Sequence, residues 1–291
     1  MKKMLIIFVL SGLITAGALA QSSNDQPLSP IYRFSMNFNP DRLLQAVIPP
    51  PPGFDRLPAS QLNLFSAWIV NLPLESENHP VVRWDNQILM PADSVAGIID
   101  LGIATKNQKN ADLPLQILIE YLLMKGKLHD CPFILENGDT LTYRKWLSGK
   151  ISTDARGNLI MKDTISRDDS EREFYRFLEF IMVRTEHRSL VDNLFEIDED
   201  EVKPGDLYVQ LNHDDTANGG HAAIIFDVAR GREDDDDRKF LVGWGGDPAQ
   251  SLVVARPWPV EKRFWFSPDE LRRRLDGYGD GRFYRFNYFR K

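Results

Sequence analysis

A histidine preceded by two glycines is the residue of this sequence best suited to catalysis. His221 follows Gly219-Gly220 and starts a very apolar run, residues 222–226. Glycines let the backbone turn sharply or approach a ligand closely. A histidine at the mouth of a strand can face a cleft and act as a general base. The alternative is a structural histidine whose ring binds a nearby backbone carbonyl, and the residues alone leave both interpretations open.

Two aspartates are candidates to orient such a base. Asp206 belongs to the run Lys203-Pro204-Gly205-Asp206-Leu207-Tyr208-Val209, a turn that leads into a strand. Asp112 lies at the start of a predicted helix, where free backbone N–H groups and the helix dipole favour polar chemistry. The same two aspartates are also candidates for the paired carboxylates of a hydrolase. Their spacing in the sequence does not by itself support this pairing.

The elements that position these residues are predicted from apolar spacing and caps. Asn110 or Asp112 is expected to cap a helix that Gly126 ends and whose apolar positions repeat at helical spacing, Leu115, Leu118, Ile119 and Leu122. A second helix follows the Ser166…Asp169 pair, which has capping-box spacing, and the last helix begins at Ser267-Pro268-Asp269-Glu270. Strands are predicted at 206–211, 221–229, 239–244, 251–255 and 282–289. This order of elements predicts a single α+β domain.

The amino end has the pattern of a cleavable secretory signal. Lys2-Lys3 precede an apolar stretch, and Ala18-Leu19-Ala20 forms a small-x-small cleavage site. Polar residues and glycines interrupt the stretch, whereas a spanning helix needs about 20 apolar residues. We therefore expect cleavage after Ala20 and a periplasmic or secreted chain without an integral membrane segment. The mature chain is predicted to have a lead-in over 21–48 and one domain over 49–291.

Composition narrows the classes of partner and cofactor. The 291 residues carry a formal net charge of −7, and loss of Lys2 and Lys3 with the signal would change this charge to −9. Such an acidic balance argues against nucleic acid as a partner. Cys131 is the single cysteine, so the chain forms no intrachain disulfide and no cysteine-based zinc site. It is expected to be a buried small hydrophobic residue, and neither a metal nor a cofactor is predicted.

Residues 203–245 resemble the C-terminal half of the papain-like cell-wall peptidases of the NlpC/P60 and CHAP group. The shared features are the strand Pro204–Val209 and the run Gly220–Ile225. This resemblance implies an antiparallel sheet packed on helices, preceded in this chain by an N-terminal extension. It also implies a cysteine nucleophile at the start of a helix, a histidine base on the first strand of the following sheet and a polar residue on the next strand. His221 matches the base.

Motifs over most of the mature chain resemble those of the DUF4846 family of exported bacterial proteins. They are Pro51-Pro52-Gly53-Phe54, Asn71-Leu72-Pro73-Leu74, Ala111-Asp112, Glu120-Tyr121-Leu122, Tyr143-Arg144-Lys145-Trp146-Leu147-Ser148-Gly149, Ser166-Arg167, Pro204-Gly205-Asp206, Gly220-His221-Ala222 and Pro248-Ala249-Gln250. The number and order of these motifs favour this family. The family resemblance by itself supplies no activity.

The sequence departs from the expected pattern at two would-be catalytic positions. Ala111-Asp112 match the end of a Cys-Ala-Asp motif of the family, but Asn110 stands where that motif has cysteine. Trp244 stands where a polar residue is expected on the strand after His221. An amide cannot act as a thiolate nucleophile. The resemblance therefore implies a site whose nucleophile is lost.

Two hypotheses of function follow from these patterns. The first is an exported envelope protein of papain-like fold that acts on or binds cell-wall peptide or amide substrates, with catalytic positions His221, Asn110, Asp112 and Asp206. The second is a non-catalytic periplasmic protein that binds glycan or peptide. Both hypotheses imply peptidoglycan or another envelope component as the partner. The residues predicted to contact it are Gly220, Tyr208, Trp244 and Gln250.

Overall fold

The computed structural model describes residues 32, 34–35, 38–154, 158–161, 166–211, 220–258, 263–277 and 279–290. Its helices are α1 (Leu44–Val47), α2 (Leu64–Ile69), α3 (Asp112–Met124), α4 (Tyr143–Leu147), α5 (Glu171–Met182), α6 (His187–Asp192) and α7 (Pro268–Arg274). Its strands are β1 (Phe54–Arg56), β2 (Val81–Val82), β3 (Ile88–Met90), β4 (Gly97–Ile98), β5 (Phe133–Ile134), β6 (Thr140–Leu141), β7 (Ile151–Thr153), β8 (Leu159–Met161), β9 (Leu194–Ile197), β10 (Leu207–Leu211), β11 (Gly220–Gly231), β12 (Arg238–Trp244), β13 (Val253–Val254) and β14 (Gly281–Phe286). The predicted signal over residues 1–20 and Gly219 lie outside the described residues.

An antiparallel sheet organises the described residues. Its order is β4-β13-β12-β11-β10-β14-β9, and β1 pairs with the far end of β11. The long central strand β11 pairs with β10 from Leu207↔Ile224 to Leu211↔Gly220, and with β12 from Ile224↔Gly243 onward. The strands predicted in the last third of the chain are confirmed, with β13 shorter than expected and β14 ending at Phe286, before a 3-10 turn over Asn287–Phe289. The predicted α+β class is confirmed.

The two faces of the sheet carry different packing partners because side chains alternate along a strand. Ala222, Ile224 and Phe226 of β11 join a core that contains α2, α3 and α5. The intervening positions, including Ala223 and Ile225, join a second core that contains residues of α7. The sheet is therefore covered on both faces. The face to which a side chain points decides in which of the two cores it packs.

Helix α3 is the central helix of the first core. Every residue from Asp112 to Leu122 is buried, whereas the sequence pattern predicted one apolar face. The difference arises because the sheet and neighbouring helices cover α3 on all sides, including its polar residues Asp112, Gln116 and Glu120. Its predicted end is confirmed at Gly126, whose φ of 65° suits glycine and whose N–H donates to the carbonyl of Leu123.

The helix caps agree with the sequence in one case and differ in another. Ser267 and Glu270 form the predicted reciprocal capping box at the start of α7, with bonds of 3.2 and 2.8 Å. The predicted cap at Ser166 is wrong, because α5 starts four residues later with Ser170 as its cap. The Ser170 hydroxyl accepts from the N–H of Glu173. Ser170 and Glu173 have the Ser-x-x-Glu spacing that is typical of a helix start, whereas Ser166 and Asp169 have Asp in the last position.

Part of the predicted lead-in packs into the domain. Tyr32 is buried against Trp68, with ring centroids 5.3 Å apart, and its hydroxyl donates to the Trp68 carbonyl at 2.9 Å. Leu44 and Ile48 are also buried. The described residues of the 21–48 segment therefore contribute to the same core as α2.

Candidate functional site

The Asn110 side chain joins the start of α3 to the middle of the sheet. Its Nδ2 donates to the carbonyls of Ala222 at 3.1 Å and Gly245 at 3.0 Å. Its Oδ1 accepts from the N–H of Ala222 at 2.6 Å and lies 3.1 Å from Nε2 of His187. The amide thus fills the gap where the chain after β12 leaves β11. All four hydrogen-bonding positions of the amide are used.

The histidine beside Asn110 is His187, which the sequence analysis missed. The backbone partners fix the orientation of the amide, so Oδ1 faces His187 and the ring must carry its proton on Nε2. Burial lowers the pKa of His187 and favours this neutral ring. A local signal was available, since Glu186 and Ser189 have reciprocal capping spacing that places His187 at the first position of α6.

Gly220 is required by the close approach of His187. A Cβ added at Gly220 would lie 2.8 Å from Cγ of His187 and 2.8 Å from the carbonyl oxygen of Gln210. Any side chain at this position would displace the histidine ring or the neighbouring strand. The structure therefore gives Gly220 a packing role at the site.

His221 points to the opposite face of the sheet from Asn110. Its ring packs edge-on against Trp244, with centroids 5.3 Å apart, on the side of the second core. Burial, aided by the charges of His187 and Arg274, lowers its pKa to about 3, so the ring is neutral at physiological pH. The hydrogen-bonding positions of the Asn110 amide are taken by Ala222, Gly245 and His187, so Asn110 does not bond the His221 ring. Strand alternation is the physical reason.

Asp112 is a buried carboxyl group next to this cluster. One oxygen accepts from the backbone N–H of Lys109 at 2.7 Å, and the other has no hydrogen-bond partner among the described residues. Burial raises its pKa to about 8, opposed by the N–H and charge of Lys109 and assisted by Glu186 and Asp247. Lys109 and Glu186 form an ion pair across the site. Asp112 therefore provides a carboxyl group that is largely protonated at neutral pH.

We expect Asp112→Asn to flatten the pH dependence of stability. An unfolded aspartate has a pKa near 3.8, so between about pH 4 and 8 the folded wild type binds the extra proton, and its stability falls as the pH rises. The contribution of one such group is at most about 1.4 kcal/mol per pH unit. Asparagine keeps an acceptor for the Lys109 N–H and removes the titratable carboxyl group. Denaturant unfolding at several pH values measures the effect.

The matched control for Asp112→Asn is Asp93→Asn, which changes an exposed aspartate. The stability of this control should follow the wild type at every pH. Parallel curves for wild type and Asp112→Asn would show that Asp112 is ionised throughout, contrary to the expectation.

Asp206 and Tyr208 lie away from the Asn110 cluster. The Asp206 carboxylate forms a two-point ion pair with Arg285, at 2.8 and 2.7 Å, and accepts from the backbone N–H of Lys203. It precedes β10 at the end opposite His221, which pairs with Gln210. In this structure Asp206 therefore neither bonds His221 nor pairs with Asp112. Tyr208 is buried against Phe283 in the second core.

Trp244 and Gln250 belong to a partly exposed surface next to the site. Gln250 forms a β-bridge with Arg83, and its side chain covers Gly246, where an added Cβ would lie 2.6 Å from its Cδ. The neighbouring Trp84 lies in the turn between β2 and β3, and its backbone N–H donates to the Ala249 carbonyl. The residue is 46% exposed. We call Trp84, Trp244, Gly246 and Gln250 the tryptophan surface.

Cys131 is buried in the first core and takes no part in the Asn110 cluster. Burial raises the pKa of its thiol to about 12, so the thiolate form is not accessible at physiological pH. Within the described ranges, no group of three or more histidine, cysteine, aspartate and glutamate side chains is arranged to hold a metal ion. No described helix combines the length and apolar character required to cross a membrane.

The fold and site define an α+β protein in which an asparagine ties the start of a buried helix to an antiparallel sheet. A model of the family described as domain of unknown function 4846 matches residues 44–278. The chain belongs to this DUF4846 family, as its motifs predicted. No curated protein and no solved structure matches the chain.

Proposed function

We propose that this chain is an exported, non-catalytic protein that binds a peptide or glycan component of the cell envelope on a papain-like scaffold. The observation that carries the proposal is the state of Asn110. This residue stands at the start of α3, which is the position of the nucleophile in the papain-like peptidases that the chain resembles. All hydrogen-bonding positions of its amide are taken by Ala222, Gly245 and His187. A position used in this way stabilises the scaffold.

The surrounding groups also support binding over thiol-dependent catalysis. The Cys131 thiol is buried in the core with a raised pKa. His221 faces Trp244 across the sheet from Asn110. A nucleophile and base must lie within hydrogen-bond reach, about 2.6–3.2 Å, to act together. Asn110, Cys131 and His221 therefore do not supply the nucleophile and base that a papain-like hydrolysis needs.

The tryptophan surface is the proposed contact area for the ligand. Trp84 is exposed, and the hairpin that carries it contributes Val81 and Met90 to the same small cluster as Trp244. Exposed aromatic rings offer a flat apolar area beside polar tips, and Gln250 adds amide donors and acceptors. This combination suits the apolar faces and hydroxyl or amide groups of sugars and peptides.

Export is the remaining part of the proposal. It is supported by the basic start, the apolar stretch and the small-residue cleavage pattern that ends at Ala20. A chain processed there would meet peptidoglycan or another envelope component. The proposed location is the periplasm or the extracellular space.

The proposal is tested by measuring the binding of soluble peptidoglycan fragments to the mature chain, residues 21–291. We expect saturable heat in isothermal titration calorimetry and unchanged fragments by mass spectrometry after prolonged incubation. Trp84→Ala should weaken binding by up to about tenfold, because an aromatic contact contributes roughly 0.5–1.5 kcal/mol beyond its buried area. Trp258→Ala is the control, since this tryptophan is equally exposed at 46% and lies outside the tryptophan surface.

Two results would overturn the proposal. Cleavage of the fragments by the wild type, abolished by His221→Ala or His187→Ala, would establish the hydrolase hypothesis. Absence of both binding and cleavage would remove peptidoglycan as the ligand. Equal weakening by Trp84→Ala and Trp258→Ala would remove the tryptophan surface from the binding site.

A further inference from the structure

Two sequence segments that the Asn110 cluster does not use meet at a groove between α4 and α5. They are the Tyr143–Gly149 run and the Ser166-Arg167 pair. The groove has a volume of about 390 Å³. We call it the arginine groove, and the residues that line it and carry the argument are Trp146, Arg167, Glu173, Arg176, Phe180 and Arg184.

Two adjacent aromatic rings lie between two arginines along the wall of the arginine groove. The guanidinium carbon of Arg167 lies 3.7 Å from the ring centroid of Trp146. The rings of Trp146 and Phe180 are 5.0 Å apart, and the guanidinium carbon of Arg184 lies 3.7 Å from the ring centroid of Phe180. Stacking leaves the in-plane N–H groups of a guanidinium directed outward from the ring. The stack therefore holds two cations in fixed orientations.

Positive charge exceeds negative charge in the groove lining, where Arg167, Arg176 and Arg184 accompany Glu173 and Glu179, although the chain as a whole has a net charge of −7. Glu173 is paired with Arg176 at 2.6 Å and lies 3.8 Å from Arg167. Arg184 forms no ion pair with a carboxylate of the described residues, and burial lowers its pKa. A half-buried arginine without a counter-charge is costly and favours an anion beside it.

Two buried donors in the groove also lack acceptors. Nε1 of Trp146 and Nε of Arg184 have no hydrogen-bond partner among the described residues. Both groups can only donate, so the missing partner is an acceptor. Oε2 of Glu173 is a buried acceptor in the groove that likewise has no hydrogen-bond partner among the described residues. An oxygen-bearing ligand beside Arg184 would supply acceptors for the two donors and balance the charge of that arginine.

We propose that the arginine groove binds a small oxyanion, either a phosphate or a carboxylate group of a small molecule. Arg184 and Arg176 supply the charge and the forked N–H donors that match planar or tetrahedral oxyanions. Arg176 is 60% exposed and marks the entrance, and Arg184 with Trp146 lies farther in. This site is separate from the tryptophan surface and does not depend on the proposed function.

Titration of the mature chain with inorganic phosphate and, separately, with acetate tests the proposal at low ionic strength. We expect saturable binding in calorimetry, weakened by added salt because the contacts are ionic. Arg184→Gln should weaken binding about tenfold or more, since it removes a charge-assisted donor set. Arg176→Gln changes an exposed position that tolerates substitution, and it should also weaken the binding of the anion. Preference for phosphate or acetate identifies the source of the oxyanion.

The matched control is Arg172→Gln, an exposed arginine of the same helix that does not line the groove. It removes the same net charge and should change affinity by less than about twofold, because exposed distant charges are screened. Equal effects of Arg172→Gln and Arg184→Gln would overturn the proposal and indicate non-specific attraction. Absence of saturable binding of either anion would also overturn it. Melting curves of all variants check that each is folded.

Discussion

Replacement of Asn110 by alanine is expected to destabilise the protein by about 3–5 kcal/mol, among the largest effects of any single substitution. The amide bonds two backbone carbonyls and one backbone N–H, of Ala222 and Gly245, as well as the His187 ring. Alanine leaves these buried groups without partners, and each buried group left unsatisfied costs about 1–3 kcal/mol. Urea unfolding of the two proteins measures the difference.

Two further variants identify the cause of the Asn110 effect. Asn107→Ala removes an exposed asparagine three residues earlier and should change stability by less than about 0.5 kcal/mol. Asn110→Asp keeps the shape but replaces two donated bonds with a negative charge facing two carbonyls, so it should destabilise strongly as well. If Asn110→Asp is as stable as wild type, the donated bonds are not the reason for the effect.

Replacement of Arg285 by alanine is expected to cost about 3–5 kcal/mol, because it leaves a buried charge without its partner. The Asp206 carboxylate is buried, and both of its oxygens accept from the Arg285 guanidinium. Burial already raises the pKa of Asp206 despite this arginine. Without Arg285, the carboxylate keeps only the Lys203 N–H as a bonded donor.

Arg282→Ala on the same strand is the control for Arg285. Its partner Glu196 is exposed, and exposed pairs contribute about 0–1 kcal/mol. The pH dependence gives a second check. Loss of Arg285 raises the pKa of Asp206 further above its unfolded value of 3.8, so the folded variant gains stability as the pH falls toward 4. The deficit of Arg285→Ala should therefore shrink in acid. A deficit that is constant with pH would indicate lost packing instead.

Asn110 and Asp206 are polar residues near the ends of a helix and a strand, and their hydrogen bonds connect separate elements of this fold. Asn110 joins α3 to the sheet through backbone groups, and Asp206 joins the start of β10 to β14 through Arg285. Asn110 was a candidate because it stands where the family motif has cysteine, and Asp206 because a carboxylate can orient a histidine base. In the structure their hydrogen-bonding capacity is taken up by the scaffold. Polar residues at element ends therefore need their partners identified before a catalytic role is assigned.

Local sequence patterns were sufficient for α3, α7 and the strands of the last third of the chain. Capping at Ser267 and the stop at Gly126 depend on side chains and backbone conformations within a few residues of one another. Runs of β-branched and apolar residues located β10, β11 and β12 for the same local reason. The family followed from motifs that are short and continuous in the chain.

Tertiary structure alone decided which residues come together at the Asn110 site. His187 lies 77 residues from Asn110 and Ala222 lies 112 residues from it, and no local pattern specifies such contacts. Strand alternation directs His221 to the face opposite Asn110, and the sequence shows this only once the face covered by α3 is known. The sequence by itself determined α3, α7, the strands from β10 onward and the family. Packing of those elements on the two faces of the sheet decided which polar groups meet, because hydrogen bonds form between groups that folding brings within about 3 Å.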